Sequence, residues 1–406
     1  MTLTDKQEKA IKLAKEWYMS ELITKPFVIL GVAGAGKTTI VKYLIEEIGI
    51  DKNINVKYVT FTGKAASVLI KKGNPATTIH KLIYDPVIDE DGNIEDFVLK
   101  SSLDENIKLI IVDEFYMVED KIMKDLLSFK TKIICLGDNH QLPPPMGNAS
   151  NLCNKPDVVL NEPLRQSLDN PIIYLANQVL QHNTPKVGDY GNNVIVTRKT
   201  ELDLNRLRTA DQIIVGKNKT VQQMNKFYRK YFKQIPDDQF LPQKGEKLIC
   251  LKNNWKLKAE ENNIITNLVN GLSLTLENNL DMINSTRHAY ADLKPDFFDG
   301  SIFRNTIIDM LYFQYGFTKE DELYNKTNIK KFDYGSVLGK RKIRFGDTPI
   351  NKLTFGYAIT CHKSQGSEFK DVYFIFEPFG NFRQEIYWQM LYTGLTRASE
   401  SIVIAI

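Results

Sequence analysis

The feature that most constrains this chain of 406 residues is the run Gly-Val-Ala-Gly-Ala-Gly-Lys-Thr at 31–38, which fits the pattern G-x-x-x-x-G-K-[ST]. Apolar residues 27–30 before it predict a buried strand, and residues 39–45 after it predict a helix. The glycines let the backbone wrap around an anion with its N–H groups turned inward, next to the positive end of the helix. A match between a strand and a helix is strong, so the run predicts a polyphosphate site.

The last residues of this phosphate loop have separate expected tasks. Lys37 is expected to reach the β- and γ-phosphates, and the hydroxyl of Thr38 is expected to bind Mg²⁺. The nine candidate nucleotide-binding residues of the loop and its immediate continuation are Gly31, Val32, Ala33, Gly34, Ala35, Gly36, Lys37, Thr38 and Thr39.

Composition limits the class of protein. The chain is 43% hydrophobic and 25% charged, as in soluble globular proteins, and its length predicts two or more domains. A net charge of +4 neither requires nor excludes nucleic acid, so a DNA-binding surface would be a local patch. Four scattered cysteines predict neither a zinc site nor a disulfide framework. With no signal-peptide pattern and no long apolar run, we expect a cytosolic protein without a membrane partner.

Apolar strands alternate with helical stretches along most of the chain. After an amphipathic helix at 5–20, strand-like runs occur at 56–61, 109–112 and 132–137, and a second block near 158 brings runs at 194–196 and 212–215. Such continuous apolar strands indicate parallel sheets covered on both faces. The predicted fold class is therefore α/β.

Two stretches interrupt this rhythm. Residues 84–105 contain a turn signal at 89–93 between short apolar runs and predict a protruding β-hairpin. Residues 241–345 predict an inserted, partly β subdomain with strands at 247–251 and 272–276. Its aromatic residues are expected mostly in its core: Phe297, Phe298, Tyr312, Phe313, Tyr315 and Phe317. The α/β pattern resumes at about 351.

Polar residues follow two of the apolar strands. Asp113 and Glu114 end one strand, where the carboxyl edge of a parallel sheet meets its ligand. Asp113 would bind Mg²⁺ through its water shell, and Glu114 would orient and deprotonate the water that attacks the γ-phosphate. Gln141, after the next strand, can hydrogen-bond the γ-phosphate or the attacking water.

Two arginines are candidate cationic fingers on the transferring phosphoryl group. Arg165 lies just past the first block, and Arg397 lies near the end of the second. Such fingers belong to a different domain from the phosphate loop, so closure of a cleft would bring them in. The run at 358–369 is dense in small, hydroxyl and amide groups, which suits a loop that touches nucleotide and phosphate backbone.

As an ordered set from Gln7 to Arg397, these motifs resemble those of superfamily 1B helicases, the RecD-like and Dda-like group. The resemblance implies two RecA-like parallel-sheet P-loop domains, 1A (1–83 and 106–157) and 2A (158–240 and 346–406). It implies that the hairpin 84–105 is a strand-separating pin, 1B, and that 241–345 holds an SH3-like subdomain, 2B, with an extension. ATP would be the nucleotide, with Gln7 at the adenine and Gly366 and Glu368 facing the nucleotide.

The resemblance also implies a path for nucleic acid. The residues that would contact DNA are Phe61, Thr62, Gly63, Lys64, Thr78, His80, Thr360, His362, Lys363 and Ser364, and Tyr84 and Phe97 are the candidate wedge aromatics. Tyr116 stands where the family usually has a small residue.

The expected activity is that of a DNA helicase or translocase driven by Mg²⁺-dependent ATP hydrolysis, with 5′→3′ movement implied by the resemblance. Its expected partners are single-stranded DNA, junctions of single- and double-stranded DNA, and replication or recombination proteins. We expect a monomer in a prokaryotic or phage-infected cytosol. The alternatives are a translocase that strips proteins or remodels forks without useful unwinding, an RNA helicase, a P-loop phosphotransferase and a purely structural nucleic-acid-binding protein.

Overall fold

A computed structural model describes residues 3–20, 25–88, 94–144, 151–161, 170–261, 264–283, 288–296, 301–310, 312–313, 350–381 and 383–406. The chain forms two compact units. Unit 1 comprises Met1–Tyr84, Leu99–Thr220 and Ile359–Ile406, and unit 2 comprises Asp85–Val98 and Val221–Ala358.

The first part of unit 1 is built around a six-stranded sheet in the order β3-β2-β6-β7-β1-β8. All of its paired strands are parallel, and β1 and β6 are buried along their whole length, so the predicted parallel sheet is confirmed. The elements of the chain up to this point are α1 (Asp5–Met19), β1 (Phe27–Gly31), α2 (Lys37–Ile48), α3 (Lys52–Asn55), β2 (Val56–Thr60), α4 (Gly63–Lys71), β3 (Ala76–Thr78), α5 (Ile79–Ile83), β4 (Tyr84–Ile88), β5 (Ile94–Leu99), β6 (Leu109–Val112), α6 (Asp120–Leu127), β7 (Lys132–Gly137) and β8 (Val158–Leu160).

Local chemistry explains where the first helices begin and end. Helix α1 begins after Thr4 because the Thr4 side chain and the Gln7 side chain form a reciprocal capping box. Helix α2 begins after Gly36 and ends at Gly49, and both glycines have a positive φ, 81° and 69°, which side chains disfavour. Strands β4 and β5 pair as a two-stranded sheet, as the hairpin prediction required, and its predicted turn at 89–93 lies outside the described residues.

The next elements are α7 (Pro171–Leu180), β9 (Gly188–Asp189), β10 (Val194–Thr197), α8 (Leu204–Thr209), β11 (Gln212–Val215) and α9 (Asn218–Phe232). Unit 2 then contributes β12 (Lys247–Cys250), β13 (Asn254–Glu261), β14 (Ile264–Leu268), β15 (Ser273–Leu276), β16 (Asp281–Ile283), β17 (His288–Pro295), β18 (Phe303–Asp309) and β19 (Asn351–Phe355).

Five strands of unit 2 form a closed ring. The sheet order is β15-β12-β19-β18-β17-β16, and β15 also pairs with β17, so β15, β12, β19, β18 and β17 close on themselves. All these pairings are antiparallel except β18 with β19. The apolar core of this unit includes buried Leu248, Leu274, Leu293, Phe303 and Leu353. The SH3-like assignment of the insertion stays a prediction.

The return to the α/β pattern comes later than the expected boundary at 346. Residues Asn351–Phe355 form β19, which pairs antiparallel with β12 inside unit 2. The reason is visible in their burial, which alternates along the strand as in a half-buried antiparallel sheet instead of running continuously. Tyr312 and Phe313 are buried as predicted, and the other four aromatic residues named for this region lie outside the described part of the chain.

The remaining elements complete a second sheet in unit 1. They are β20 (Ala358–Thr360), α10 (Cys361–Ser364), β21 (Phe369–Ile375), α11 (Glu385–Leu395) and β22 (Ala398–Ala405). The sheet order is β20-β11-β21-β22-β10-β9, with β11, β21, β22 and β10 parallel and β9 an antiparallel edge strand. Among the helices in the described ranges, none combines the length and the apolar character that a bilayer crossing needs.

Phe115 fixes the end of β6 against the end of β7. Its ring is fully buried and packs on the backbone of Gly137, where an added Cβ would lie 2.7 Å from Phe115 Cδ1. Phe115 directly follows the acidic pair at 113–114, and Gly137 directly precedes Asp138. The contact therefore sets the spacing between the polar residues that follow the two strands.

We expect Gly137→Ala to destabilise the chain by about 1–3 kcal/mol, because the new methyl group overlaps the Phe115 ring in a packed core. The measurement is the urea midpoint of unfolding. Phe115→Ala alone should also destabilise, while the double variant should lose less than the sum, since the overlap is gone. An unchanged midpoint for Gly137→Ala, or strict additivity, would contradict this packing role.

Candidate nucleotide and nucleic-acid site

The phosphate loop connects β1 to α2 as the sequence predicts. Gly34 and Gly36 adopt positive φ values of 76° and 81°, which turn the backbone around the loop. Lys37 Nζ donates hydrogen bonds to the carbonyls of Gly31 at 2.6 Å and Val32 at 3.2 Å. The ammonium is thus held by the loop's own carbonyls.

Gln7 braces this loop from α1. Its Nε2 donates to the Ala35 carbonyl at 3.1 Å, and its Oε1 accepts the Thr4 N–H at 3.1 Å. The side chain is only 3% exposed. The oxygen and the nitrogen of the amide therefore both form hydrogen bonds within the chain. The sequence motif did not predict this bracing role. The adenine contact implied for Gln7 stays a prediction.

Asp113 and Glu114 follow β6 at the carboxyl edge of the first sheet. Glu114 has a left-handed backbone with φ 53° and ψ 38°, a conformation that costs a non-glycine residue about 1–2 kcal/mol. Its N–H donates to Asp113 Oδ1 at 3.0 Å. A strained residue of this kind persists only where its surroundings hold it, and such residues cluster at functional sites.

Cations associated with both sheets of unit 1 lower the pKa values of this acidic pair. Burial raises the pKa of Asp113, while Lys37 opposes the shift. Burial and the neighbouring Asp113 raise the pKa of Glu114, while Arg397 and Lys37 lower it. The residue expected to act as the base and two of the expected phosphate-binding cations therefore share one electrostatic site.

The donor set suits a Mg²⁺ that is only partly bound by protein. Thr38 is exposed at the start of α2, and Asp113 is half-buried, with Lys37 near enough to lower the pKa of its carboxylate. Within the described ranges no three His, Cys, Asp or Glu side chains are grouped to hold a metal. A Mg²⁺ at Thr38 and Asp113 would take its remaining ligands from phosphate oxygens and water, as Mg²⁺ does in nucleotide sites.

Gln141 and Arg397 are both buried, at 5% exposure each. The Oε1 atom of Gln141 has no hydrogen-bond partner in the part of the chain that the structure describes. The Arg397 guanidinium donates to the Thr393 carbonyl at 3.0 Å, the Ser367 carbonyl at 3.2 Å and Thr396 Oγ1 at 3.1 Å. Arg165, the other candidate finger, lies outside the described residues.

The segment 138–142, which follows β7, is joined to the second sheet by a set of hydrogen bonds that the sequence did not predict. The Leu142 N–H donates to Thr393 Oγ1 at 2.8 Å, and Gln365 Nε2 donates to the Leu142 carbonyl at 2.6 Å. Two further side chains of α11 reach this segment: Gln389 bonds to the Asn139 carbonyl at 3.4 Å and Tyr392 to Asp138 at 2.7 Å. Gln365, Tyr392 and Thr393 lie inside the sequence motifs, and Gln389 had no sequence signal.

Gly366 and Glu368, predicted to face the nucleotide, contact α4 and the lysine after it. Gly366 has φ 68°, and an added Cβ would lie 2.8 Å from Ala65 Cβ. Glu368 Oε2 lies 3.9 Å from Lys72 Nζ. The charge of Lys72 also lowers the pKa of Asp113. Lys72 therefore interacts both with Glu368 and with the acidic pair.

Three threonines predicted to contact DNA are helix caps. Thr62, Thr78 and Thr360 accept backbone N–H bonds from Ala65, Lys81 and Lys363 at 3.3, 3.2 and 3.2 Å. They begin α4, α5 and α10 near the ends of β2, β3 and β20, and Gly63 is the first residue of α4. Their hydroxyls are thus partly committed to the fold.

Aromatic rings form a row on the first sheet's side of unit 1. The Phe61 and His80 ring centroids lie 5.9 Å apart, and those of His80 and Tyr84 lie 5.7 Å apart. The Tyr84 hydroxyl donates to Asp125 at 2.5 Å, which ties this ring to α6. Burial lowers the pKa of His80, which favours its neutral form.

His362 belongs to a second ring pair, 5.6 Å from Phe379, and burial lowers its pKa too. Beside it, Lys363 is half-buried. On the hairpin, the predicted wedge residue Phe97 is 38% exposed.

Thr78, Thr360, Lys64 and Ser364 are all buried, which differs from the exposure expected of DNA contacts. Lys64 is 3% exposed, with its ammonium 4.6 Å from the centre of the Phe369 ring. Ser364 is fully buried, and its hydroxyl donates to the Cys361 carbonyl at 2.7 Å. The structure therefore does not place the side chains of Lys64 and Ser364 on a surface that a strand could reach, because Lys64 packs on the Phe369 ring and Ser364 bonds inside α10.

Two family models match parts of the chain. The AAA domain model matches residues 15–147, and the UvrD-like helicase C-terminal domain model matches residues 355–405. The first match contains the phosphate loop, the acidic pair and Gln141, and the second contains Gln365, Tyr392 and Arg397.

Characterised relatives are helicases. The chain is 32% identical to the ATP-dependent RecD2 DNA helicase of Deinococcus radiodurans over 40% of this chain and 22% of that protein. It is 25% identical to the RecBCD enzyme subunit RecD of Buchnera aphidicola subsp. Schizaphis graminum over 94% of this chain and 70% of that one. It spans 38% and 22% of the lengths of the first two curated relatives that it matches.

Among solved structures, the Pif1 helicase from Bacteroides in complex with ADP-AlF3 and ssDNA is similar, with a TM-score of 0.52 at 18% identity. The match covers 100% of this chain and 93% of that one. At this identity the likeness establishes a shared fold.

We expect Gln7→Leu to weaken the binding of both ATP and GTP, because the brace on Ala35 is lost whichever base is bound. A further loss for ATP alone is the signature of the adenine contact. The measurement is competition of each nucleotide against a fluorescent analogue. Thr4→Ala is the matched control, since it weakens the cap of α1 but keeps the Gln7–Ala35 bond, and it should leave both affinities unchanged. Unchanged affinities in Gln7→Leu would contradict the bracing role.

Proposed function

Because the chain belongs to the RecD/Dda-like group of superfamily 1B helicases, we propose that it is a DNA-dependent ATPase that moves along single-stranded DNA and unwinds duplex DNA. The observation that carries this proposal is the pair of cations near Glu114. Lys37 of the phosphate loop and Arg397 of the second sheet both lower the pKa of its carboxylate. A phosphate bound between these two cations would join the two sheets of unit 1.

Each residue at this junction has a proposed part in hydrolysis. Lys37 and the loop N–H groups bind the β- and γ-phosphates, and Arg397 stabilises the charge that develops on the transferring group. Glu114 accepts a proton from the attacking water, and the Gln141 amide oxygen, which has no partner among the described residues, holds that water or reports on the γ-phosphate. Mg²⁺, held by Thr38 and Asp113, would neutralise phosphate charge. Arg165 is proposed as a second finger, on its motif context alone.

The proposed path of the strand follows the carboxyl ends of β2, β3 and β20. Phe61 and His80 offer rings on which bases can stack, a contact worth about 1–3 kcal/mol each. On the second sheet, His362 and Lys363 supply a ring and a cation for bases and phosphates. We propose 5′→3′ movement, a pin at 84–105 and an SH3-like subdomain in unit 2, all from the family resemblance. A cytosolic monomer that works with replication or recombination proteins is the setting proposed on the same basis.

We expect single-stranded DNA to stimulate ATP hydrolysis by the full chain, and Lys37→Ala to abolish hydrolysis while single-strand binding stays largely intact. The physical reason is that Lys37 lies in the phosphate loop and not on the proposed strand path. The measurement is ATPase rate with and without single-stranded DNA or RNA, together with strand binding by anisotropy. Lys42→Ala is the matched control, because it removes an exposed lysine of the same helix and should keep full activity.

Hydrolysis at the wild-type rate in Lys37→Ala would overturn the site assignment. Stimulation by RNA in place of DNA would favour the RNA helicase alternative. If no nucleic acid stimulated hydrolysis, the result would favour the phosphotransferase alternative.

We expect Phe97→Ala to reduce the base pairs opened per ATP hydrolysed on a 5′-tailed duplex, while the DNA-stimulated ATPase rate stays near wild type. An exposed ring on the hairpin can separate a base pair, and alanine cannot. The measurement is strand displacement alongside ATP turnover, on 5′-tailed and 3′-tailed duplexes. Val98→Ala, at the adjacent exposed position of β5, is the matched control and should unwind normally.

Normal unwinding per ATP in Phe97→Ala would remove this ring from the wedge role. If the wild-type chain hydrolysed ATP on DNA but displaced neither tailed duplex, the translocase alternative would replace unwinding. Preference for the 3′-tailed duplex would contradict the proposed direction.

A further inference from the structure

Tyr392 is a buried polar residue that has no part in the proposed hydrolysis. It lies on α11 of the second sheet and is 1% exposed. Its hydroxyl oxygen accepts the Ala33 N–H at 2.8 Å, and the hydroxyl donates to Asp138 Oδ2 at 2.7 Å. One hydroxyl of the second sheet therefore reaches two loops of the first, the phosphate loop after β1 and the 138–142 segment after β7.

The two bonds of this hydroxyl have fixed directions. Asp138 is 1% exposed, and its other oxygen accepts the His140 N–H at 3.0 Å, so the carboxylate is held from two sides. Burial and the Asp138 carboxylate raise the pKa of Tyr392 well above its ordinary value, so the phenol keeps its proton. The O–H donates its hydrogen bond to Asp138, and a lone pair of the same oxygen accepts the Ala33 N–H.

We propose that the Tyr392 hydroxyl is a placeholder for a terminal phosphate oxygen, which holds the Ala33 N–H while the loop is empty and releases it when a triphosphate binds. The inference rests on the proposed function, because it requires that the loop binds ATP. An ionised phosphate oxygen is a stronger acceptor than a neutral phenol, so the nucleotide takes the amide. Tyr392 then keeps its bond to Asp138 alone.

This exchange makes one connection between the sheets depend on the occupant of the loop. The bonds that join Thr393, Gln365 and Gln389 to the 138–142 segment do not involve the phosphate loop, so the proposed exchange does not break them. The Tyr392–Ala33 bond, by contrast, joins α11 to the phosphate loop itself. Nucleotide binding would therefore free α11 from the phosphate loop while leaving it attached to the segment that carries Gln141. Tyr392 acts here as a positioning residue.

Whether nucleotide affinity rises or falls when the hydroxyl is removed separates this role from a merely structural one. Removal of the hydroxyl takes away the partner of the half-buried Ala33 N–H in the empty loop, which raises the free energy of the empty state. If the hydroxyl competes with phosphate, its loss tightens nucleotide binding. If the tyrosine only supports the loop, its loss loosens the loop and weakens binding.

The test is Tyr392→Phe in the full chain, with a non-hydrolysable ATP analogue and Mg²⁺ and without DNA. We expect the analogue to bind about twofold to tenfold more tightly than to the wild type, the range that one net hydrogen bond provides. Equal or weaker binding overturns the proposal. If the wild-type chain itself fails to bind the analogue, the proposed function fails, and the two failures are therefore distinguishable.

Two control variants match the chemical change. Tyr373→Phe removes another buried phenol of unit 1, whose oxygen accepts the Asp203 N–H at 3.0 Å and touches neither the phosphate loop nor the 138–142 segment. Thr393→Val removes the neighbouring bond to Leu142, so it reports on general loosening between the sheets. Neither control should tighten binding; tightening in either would mean that the effect is not specific to Ala33, and the proposal would fall.

A measurement on the unaltered chain keeps the inference testable if Tyr392→Phe does not fold. In chains labelled with ¹⁵N-alanine, the Ala33 amide is identified by its loss in Ala33→Ser. Without nucleotide this amide should be protected from solvent exchange, because its partner is a buried hydroxyl, and the analogue should shift its resonance. Exchange at the rate of an open loop in the empty chain would overturn the proposed bond.

Discussion

Three carboxylates stand at the ends of two adjacent buried strands: Asp113 and Glu114, which are half-buried, follow β6, and Asp138, which is fully buried, follows β7. A buried carboxylate is costly unless cations or hydrogen-bond donors compensate it. Lys37 comes from the phosphate loop, and the other compensating groups, Arg397 and the Tyr392 hydroxyl, come from the second sheet. The contacts between the two sheets of unit 1 therefore converge on this charge.

Parallel topology brings the remaining candidate residues to the same edge. Strands β1, β2, β3, β6 and β7 all run in one direction, so the loops that follow them open on one side of the sheet. The phosphate loop, the threonine cap of α4, the threonine cap of α5 and the acidic pair arise in this way. A nucleotide site and a strand path can share one edge because the same backbone rule produces both.

Sequence reasoning was most reliable where a short pattern requires one local geometry. The phosphate loop, the buried strands and the capped helix α1 are such cases, since glycine, apolar runs and a capping residue act within a few positions. It was least reliable for exposure. Lys64 and Ser364 were expected on the DNA surface, yet both are buried, because exposure depends on elements distant in sequence. The expected boundary at 346 was too early for the same reason, since residues 351–355 pair with β12 in unit 2.

The sequence by itself determined the order of the motifs, the α/β class of the main body and the chemical types available at the site. Those properties follow from local periodicity and from side-chain chemistry. Only the tertiary structure decided that Gln7 braces the phosphate loop, that Glu114 takes a left-handed backbone, and that Tyr392 bridges Ala33 and Asp138. These contacts join positions up to 359 residues apart, and no local pattern encodes a partner at that distance because packing selects it.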